Sequence, residues 1–152
     1  MPRYKIVNGE AVEMTADEIA ALEARAAADE ARRIAEIPAK VNAERERRLI
    51  AGVTVNVSGY GDIQLQGRPA DQINLLALKD TARDLDAAGI TAAVIPFRDA
   101  DNVTHTLTPA QMIELANEGK TAASAIYQAS WAIKARNDLA TIDITDDQYW
   151  SA

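Results

Sequence analysis

His105 is the only histidine of the chain, and Asp99, Asp101 and Asn102 precede it by a few positions. An imidazole exchanges a proton near neutral pH, so His105 with Asp99 or Asp101 would suit a small hydrolase that uses a general base. A catalytic histidine also needs an orienting carboxylate and a nucleophile, and nothing in the local sequence indicates them. The sequence therefore favours a structural or half-exposed histidine on the strand predicted over residues 103–107.

The acidic loops offer oxygen atoms that a calcium ion would accept. The loop of Asp99, Asp101 and Asn102 lacks the central glycine and the distal glutamate of a calcium-binding loop, and such residues also favour turns through their own backbone contacts. A second cluster, Asp143, Asp146 and Asp147, makes a weaker case. Because the chain has no cysteine, thiolate and zinc–thiolate chemistry is excluded, and we predict neither a metal nor another cofactor.

The remaining residues with chemical potential have simpler interpretations. Gly59-Tyr60-Gly61 follows a predicted strand, but it lacks the third glycine and the lysine of phosphate-binding loops and indicates a hairpin turn. Ser124 and Ser130 lie outside any nucleophile-elbow context. Trp131 and Tyr127 share one flank of a predicted helix, where packing in a core or an interface is favoured over a ligand platform. The sequence thus predicts a protein that is not an enzyme.

The composition argues against two classes of partner, nucleic acids and membranes. The 152 residues include 16 basic and 23 acidic ones, so the net charge is −7, which argues against nucleic acid. The longest apolar run, residues 92–97, is far shorter than a membrane span, and the N-terminus lacks the apolar segment of a signal peptide. These features predict a protein without membrane partners that is synthesised in the cytoplasm.

Residues 1–51 indicate a hairpin followed by a long helical arm. Asn8-Gly9 is typical of a tight hairpin turn, and Thr15 with Glu18 forms a capping box. A helix is predicted from Ala16 to Ala51, with Gly52 as its stop and a kink or break at Pro38. Acid-first pairs stabilise it locally: Asp29 with Arg33, Glu36 with Lys40, and Glu44 with Arg48.

The apolar stripe of this arm is too sparse to form a core of its own, which predicts that the arm docks on a partner. The stretch 39–52 is expected to join the folded domain through Leu49 and Ile50, so residues 1–37 form the docking element. The predicted partner-binding residues are Tyr4, Ile6, Ile19, Leu22, Ile34 and Ile37.

Residues 53–152 predict a compact α+β domain of the order ββα-ββα. The strands are expected at residues 53–57, 63–66, 91–97 and 103–107, and the helices at about 69–88 and 109–137. Two helices on one face of a four-stranded antiparallel sheet would bury both apolar stripes. The first helix, apolar on nearly all sides around Ile73, Leu75, Leu76 and Leu78, is expected to be the most buried element, and Trp150 to anchor the C-terminus.

Three stretches resemble small tail-region proteins of tailed bacteriophages. Residues 4–10 running into residues 14–18 resemble the opening hairpin and helix of those proteins. Residues 45–55 resemble the entry to a phage domain of unknown function that occurs in tail fibre and tail fibre assembly proteins. Residues 65–68 and 107–112 fit the body of the same domain. These motifs are caps, turns and helix entries, so no catalytic residue carries over.

The resemblance implies a non-enzymatic role in tail fibre attachment or assembly through protein–protein contacts. Its partner would be a tail fibre or baseplate protein, and a homotrimer follows by analogy with the symmetry of tails. The protein would act in the host cytoplasm during assembly. In the alternative, the protein would be a structural component of the tail tip or baseplate and would be located in the virion tail. The alternative from another class is the small hydrolase that uses His105.

Overall fold

A computed structural model describes residues 2–151 and confirms the predicted α+β order of a hairpin, a long helix and two hairpin–helix pairs. The strands pair as β1 with β2, β3 with β4, and β5 with β6, all antiparallel. The elements are β1 (Tyr4–Val7), β2 (Glu10–Glu13), α1 (Ala16–Ala51), β3 (Val53–Val57), β4 (Gly61–Leu65), α2 (Pro69–Ala87), β5 (Ile95–Arg98), β6 (Thr104–Leu107), α3 (Pro109–Lys134) and a 3₁₀ helix (Asp147–Tyr149).

Helix α1 continues through Pro38, so the break predicted there is wrong. Proline costs a helix one hydrogen bond, but the alanines of this segment favour helix strongly, and ion pairs support it locally. Arg32 pairs with Asp29 at 2.9 Å and Arg33 with Glu30 at 2.7 Å, in both cases one turn apart. The chain nevertheless divides into two compact units between Ala39 and Lys40, just beyond Pro38. We call them the N-terminal unit and the body.

The N-terminal unit is built as its sequence predicts. Asn8 and Gly9 adopt φ angles of 53° and 86°, which a tight hairpin turn requires. The capping box is formed: Thr15 N–H donates to Glu18 Oε2 at 3.0 Å, and Glu18 N–H donates to Thr15 Oγ1 at 3.3 Å. An ion pair between Lys5 and Glu18 ties β1 to the first turn of α1.

In the body the hairpins β3–β4 and β5–β6 form separate two-stranded sheets, so the predicted four-stranded sheet is wrong. The link between them is made by a loop, where the backbone N–H of Ala100 donates to the carbonyl of Gln64 at 2.9 Å. The strand predicted over residues 91–97 begins only at Ile95, which leaves a pairing segment of four residues. Within each hairpin the two strands therefore pair only with each other, and hydrogen bonds of the loop of residues 99–102 link the two hairpins.

The core of the body is dominated by α3, and the expectation that α2 is the most buried element is wrong. Of α2, only Ala82 is fully buried, whereas Ile73 and Leu76 are 67% and 53% exposed. Because α2 contacts the core along a single stripe, its apolar residues on the other side remain at the surface. The core cluster consists of Val55, Val57, Ile63, Leu65, Ala82, Ile95, Leu107, Met112, Leu115 and Ala116, with Leu75, Leu78 and Leu85 packed against it.

The last helix and the C-terminus follow the sequence closely. The Thr108–Gln111 capping box opens α3, which ends at Lys134, three residues before the predicted end. Trp150 is buried as expected: its indole N–H donates to the carbonyl of Ile144 at 2.8 Å, and the Arg48 guanidinium lies 4.9 Å from its ring centre. Within residues 2–151, no helix combines the length and apolarity that crossing a membrane requires.

Candidate functional site

A chain of three polar side chains connects the two hairpins of the body. His105 Nε2 lies 2.8 Å from Asp99 Oδ2, and His105 Nδ1 lies 3.0 Å from the Tyr60 hydroxyl. Asp99 and His105 are buried, whereas Tyr60 is 41% exposed. The orienting carboxylate that the sequence did not indicate is therefore supplied from within the β5–β6 hairpin, and the hydroxyl from the β3–β4 turn.

The hydrogen bonds of Asp99 fix the protonation pattern of this chain. The bond from the His105 imidazole, with those from the backbone N–H groups of Val103 and Asp101, holds the pKa of the Asp99 carboxyl below its usual range. An ionised carboxylate only accepts, so the Nε2 nitrogen of His105 carries the proton. In the neutral ring Nδ1 is then an acceptor, and the Tyr60 hydroxyl donates to it.

The order carboxylate, imidazole, hydroxyl resembles a catalytic arrangement in which a carboxylate orients a base and the base activates a nucleophile. Tyr60 would be the nucleophile and His105 the base. The same chain has a structural use, because it joins two hairpins that share no strand pairing. Two cavities of the body, described below, are lined by other residues.

The acidic loops serve as turns. Asp99 Oδ1 accepts from the N–H groups of Asp101 and Val103 at 2.9 and 2.8 Å, while its second oxygen faces His105, so both oxygens are engaged. Asp143 accepts from Thr145, Asp146 caps the 3₁₀ helix, and Asp147 pairs with Arg48. Across residues 2–151, no group of three or more histidine and acidic side chains could hold a metal ion.

The glycine turn, the two serines and Trp131 lie outside this polar chain, except for Tyr60. Gly59 and Tyr60 lie in the predicted hairpin turn between β3 and β4, and Gly61 is the first residue of β4. Ser130 is buried and donates to the Tyr127 carbonyl at 2.7 Å, and Ser124 accepts from Gln128. Trp131 is 59% exposed, so it does not pack in the core of the body, and packing in an interface, the other half of the expectation, stays a prediction. The large buried side chains of α3 are Met112, Leu115 and Ile133 instead.

The predicted docking residues of the N-terminal unit are mostly at the surface. Ile19 is half-buried, and Ile37, only 7% exposed, is not available to a partner. In the body, Leu49 is buried as predicted but Ile50 is 53% exposed. The other four of the six predicted docking residues are well exposed: Tyr4 at 59%, Ile6 at 72%, Leu22 at 46% and Ile34 at 46%. We call Tyr4, Ile6, Ile19, Leu22 and Ile34 the arm face.

A cavity of about 140 Å³, which we call the α2/α3 groove, opens between those two helices. Its floor is made by small residues of α3, and its walls by Leu65, Leu75 and Leu76. At Gly119 a Cβ atom would lie 2.6 Å from Leu65 Cδ1, so α3 approaches the end of β4 closely at this position. The floor residues are Ala116, Gly119, Ala122 and Ala123.

Sequence reasoning missed this groove because it placed the apolar residues of α2 in the core. The apolar excess of α2 beyond one helical stripe, Ile73 and Leu76, was the signal that could have indicated an exposed apolar surface. A second cavity of about 410 Å³ lies between α2 and the hairpins, lined in part by Leu78, Phe97 and Arg98. Helix α2 therefore has open space on two sides.

Comparison with protein families gives one match: the DUF4376 model, described as a domain of unknown function, covers residues 30–149. That description names no activity, ligand or partner. Comparisons with curated proteins and with solved structures give no match.

Proposed function

We propose that this chain, which belongs to the DUF4376 family, is a non-enzymatic interaction protein that acts in the attachment or assembly of bacteriophage tail fibres. Its arm face would dock on a tail fibre or baseplate protein. The phage setting comes from the resemblance of residues 4–18, 45–55, 65–68 and 107–112 to tail-region proteins.

The exposed arm face is the observation that carries the docking role. Four large apolar side chains of one small unit are 46–72% exposed, and burying that exposed part of each on a partner would contribute about 1–2 kcal/mol. The helix that carries three of the arm-face residues is supported by its capping box and local ion pairs. Since it is already folded, docking would cost little ordering of the backbone.

Binding of the full chain to the tail fibre and baseplate proteins encoded beside it tests the proposal. Replacing Leu22 and Ile34 together by serine should weaken binding on the order of 100-fold, measured by calorimetry. The matched control replaces Val94 and Val103 by serine, because these body residues are exposed to a similar degree, 48% and 51%. Equal loss in both double variants, or none in the first, would overturn docking through the arm face.

A virion component and an assembly helper differ in where the protein ends up. Mass spectrometry of purified particles gives stoichiometric copies for a component of the tail tip or baseplate, located in the virion tail. A helper acts in the host cytoplasm during assembly and is absent from particles. The attachment or assembly role is the reading that we put forward.

A small hydrolase is the second candidate, and the Asp99–His105–Tyr60 hydrogen-bond chain is the observation that favours it. Tyr60→Phe keeps the ring and removes the hydroxyl that would act as nucleophile. Hydrolysis of chromogenic ester substrates by the wild type, lost in both Tyr60→Phe and His105→Ala, would support this candidate. Phage production that is unchanged when the phage carries either variant supports a protein that only binds.

A further inference from the structure

We propose that the α2/α3 groove receives the N-terminal half of α1 from a second copy of this chain. The inference uses the same arm face that the proposed function assigns to a tail partner, and it concerns what covers that face when the chain is alone. It rests on three properties that the groove and the α1 segment of residues 16–30 share: shape, apolarity and charge.

Shape is the first match. The floor of the groove is made of alanine and glycine, so the backbone of a docked helix can approach it closely, and most closely where that helix also carries small side chains. In the segment 16–30 of α1, seven of fifteen residues are alanine. Leu22 is the large exposed side chain in the middle of that segment, and a groove of about 140 Å³ has room for a side chain of that size.

Apolar surface is the second match. Leu22 is 46% exposed on α1, and Leu76, which lines the groove, is 53% exposed. Both surfaces would lose this area from water on contact, which is the main driving force for association. Amphipathic helices bind apolar grooves in this mode, with a few side chains acting as anchors.

Charge is the third match. Lys120 is the one charged residue that lines the groove, and in the described residues 2–151 no hydrogen bond or ion pair engages its ammonium group. The segment 16–30 of α1 carries five acidic residues and one basic residue. An acidic, alanine-rich helix therefore carries charge opposite to that of Lys120, and one of its carboxylates would pair with the Lys120 ammonium group at the groove wall.

Site-directed cross-linking tests the inference directly, because the chain has no cysteine of its own. A Leu22→Cys copy is mixed with an affinity-tagged Ala123→Cys copy and oxidised in the absence of tail proteins. We expect a mixed disulfide dimer with its own mass. The control mixture pairs Val94→Cys, a similarly exposed body residue, with Ala123→Cys, and should give at least about tenfold less mixed dimer.

A charge reversal distinguishes specific docking from general attraction. Lys120→Glu should weaken self-association of the full chain about tenfold in sedimentation velocity, whereas Arg83→Glu, an exposed α2 cation outside the groove lining, should leave it unchanged. A chain that stays monomeric at high concentration, or equal mixed dimer in both mixtures, overturns this inference. If capture of a tail protein still requires Leu22 and Ile34 in that case, the proposed function stands without it.

Discussion

Asp99 carries more contacts than any other polar side chain of its hairpin. It closes its own loop through two backbone N–H groups and orients His105, which in turn accepts from Tyr60. The bond from His105 and the two from backbone N–H groups favour the ionised carboxylate, and this is why the pKa of Asp99 is lowered. Asp99 therefore links the loop, the strand β6 and the neighbouring hairpin.

The lowered pKa of Asp99 predicts a pH dependence of stability. Because the folded-state pKa lies below the unfolded value of about 3.9, the stabilisation is fully present above that value and is lost as the pH falls through the folded pKa. Asp99→Asn should lower the urea midpoint at neutral pH and flatten its fall between about pH 5 and 2. Asp101→Asn serves as the control, because the Asp101 side chain makes none of the hydrogen bonds described for this loop. Parallel pH curves for Asp99→Asn and wild type would contradict this role.

The two tryptophans predict opposite results for the same substitution. Trp150→Ala removes a buried ring that is 5% exposed and should lower the free energy of unfolding by about 3–5 kcal/mol. Trp131→Ala changes a residue that is 59% exposed and should alter stability by about 0.5 kcal/mol or less. Urea denaturation of both variants measures the difference. A cost above about 2 kcal/mol for Trp131→Ala would show a buried environment in solution.

At the scale of elements, the body depends on a close crossing between the end of α1 and the end of β4. A Cβ atom on Gly67 would lie 1.5 Å from the carbonyl oxygen of Leu49, and one on Gly52 would lie 1.9 Å from that of Leu65. Gly52 also adopts a φ of 75°, which ends α1 and starts β3. The last turn of α1 therefore belongs structurally to the body.

This crossing predicts a severe effect of one added methyl group. Gly67→Ala places the methyl group against backbone atoms that cannot rotate away, so the free energy of unfolding should fall by about 3 kcal/mol or more. Gly59→Ala is the control: a Cβ there meets nothing within 4 Å, and only its φ of 69° opposes the change, at about 1–2 kcal/mol. Thermal melts followed by circular dichroism compare the two. Equal losses would mean that the crossing relaxes.

At the scale of the whole molecule, burial is distributed unevenly. The body contains the core cluster, and six residues of α3 are buried, whereas the first 21 residues of α1, up to Glu36, are all exposed or half-buried. Hydrogen exchange is slow where opening a helix exposes much apolar surface. The stability of the N-terminal half of α1 should therefore come mainly from local interactions.

Hydrogen exchange measured by mass spectrometry checks this distribution. In dilute solution, where copies are apart, amides of residues 16–36 should exchange at least about 100-fold faster than those of residues 112–130. Addition of a tail partner should slow the first group and leave the second unchanged. Exchange of residues 16–36 as slow as that of α3 in a monomer would contradict an uncovered arm face.

The sequence by itself determined the order of the elements and those ends that are set by caps and tight turns, because these depend on local interactions. Thr15 with Glu18 and Thr108 with Gln111 cap helices through contacts three residues apart, and Asn8-Gly9 and Gly52 supply backbone angles that few residues adopt. Only the tertiary structure decided which apolar side chains are covered. Ile73, Leu76 and Trp131 lie at the surface, because coverage depends on elements distant in sequence. The partnership of His105 with Tyr60, 45 residues away, was hidden for the same reason.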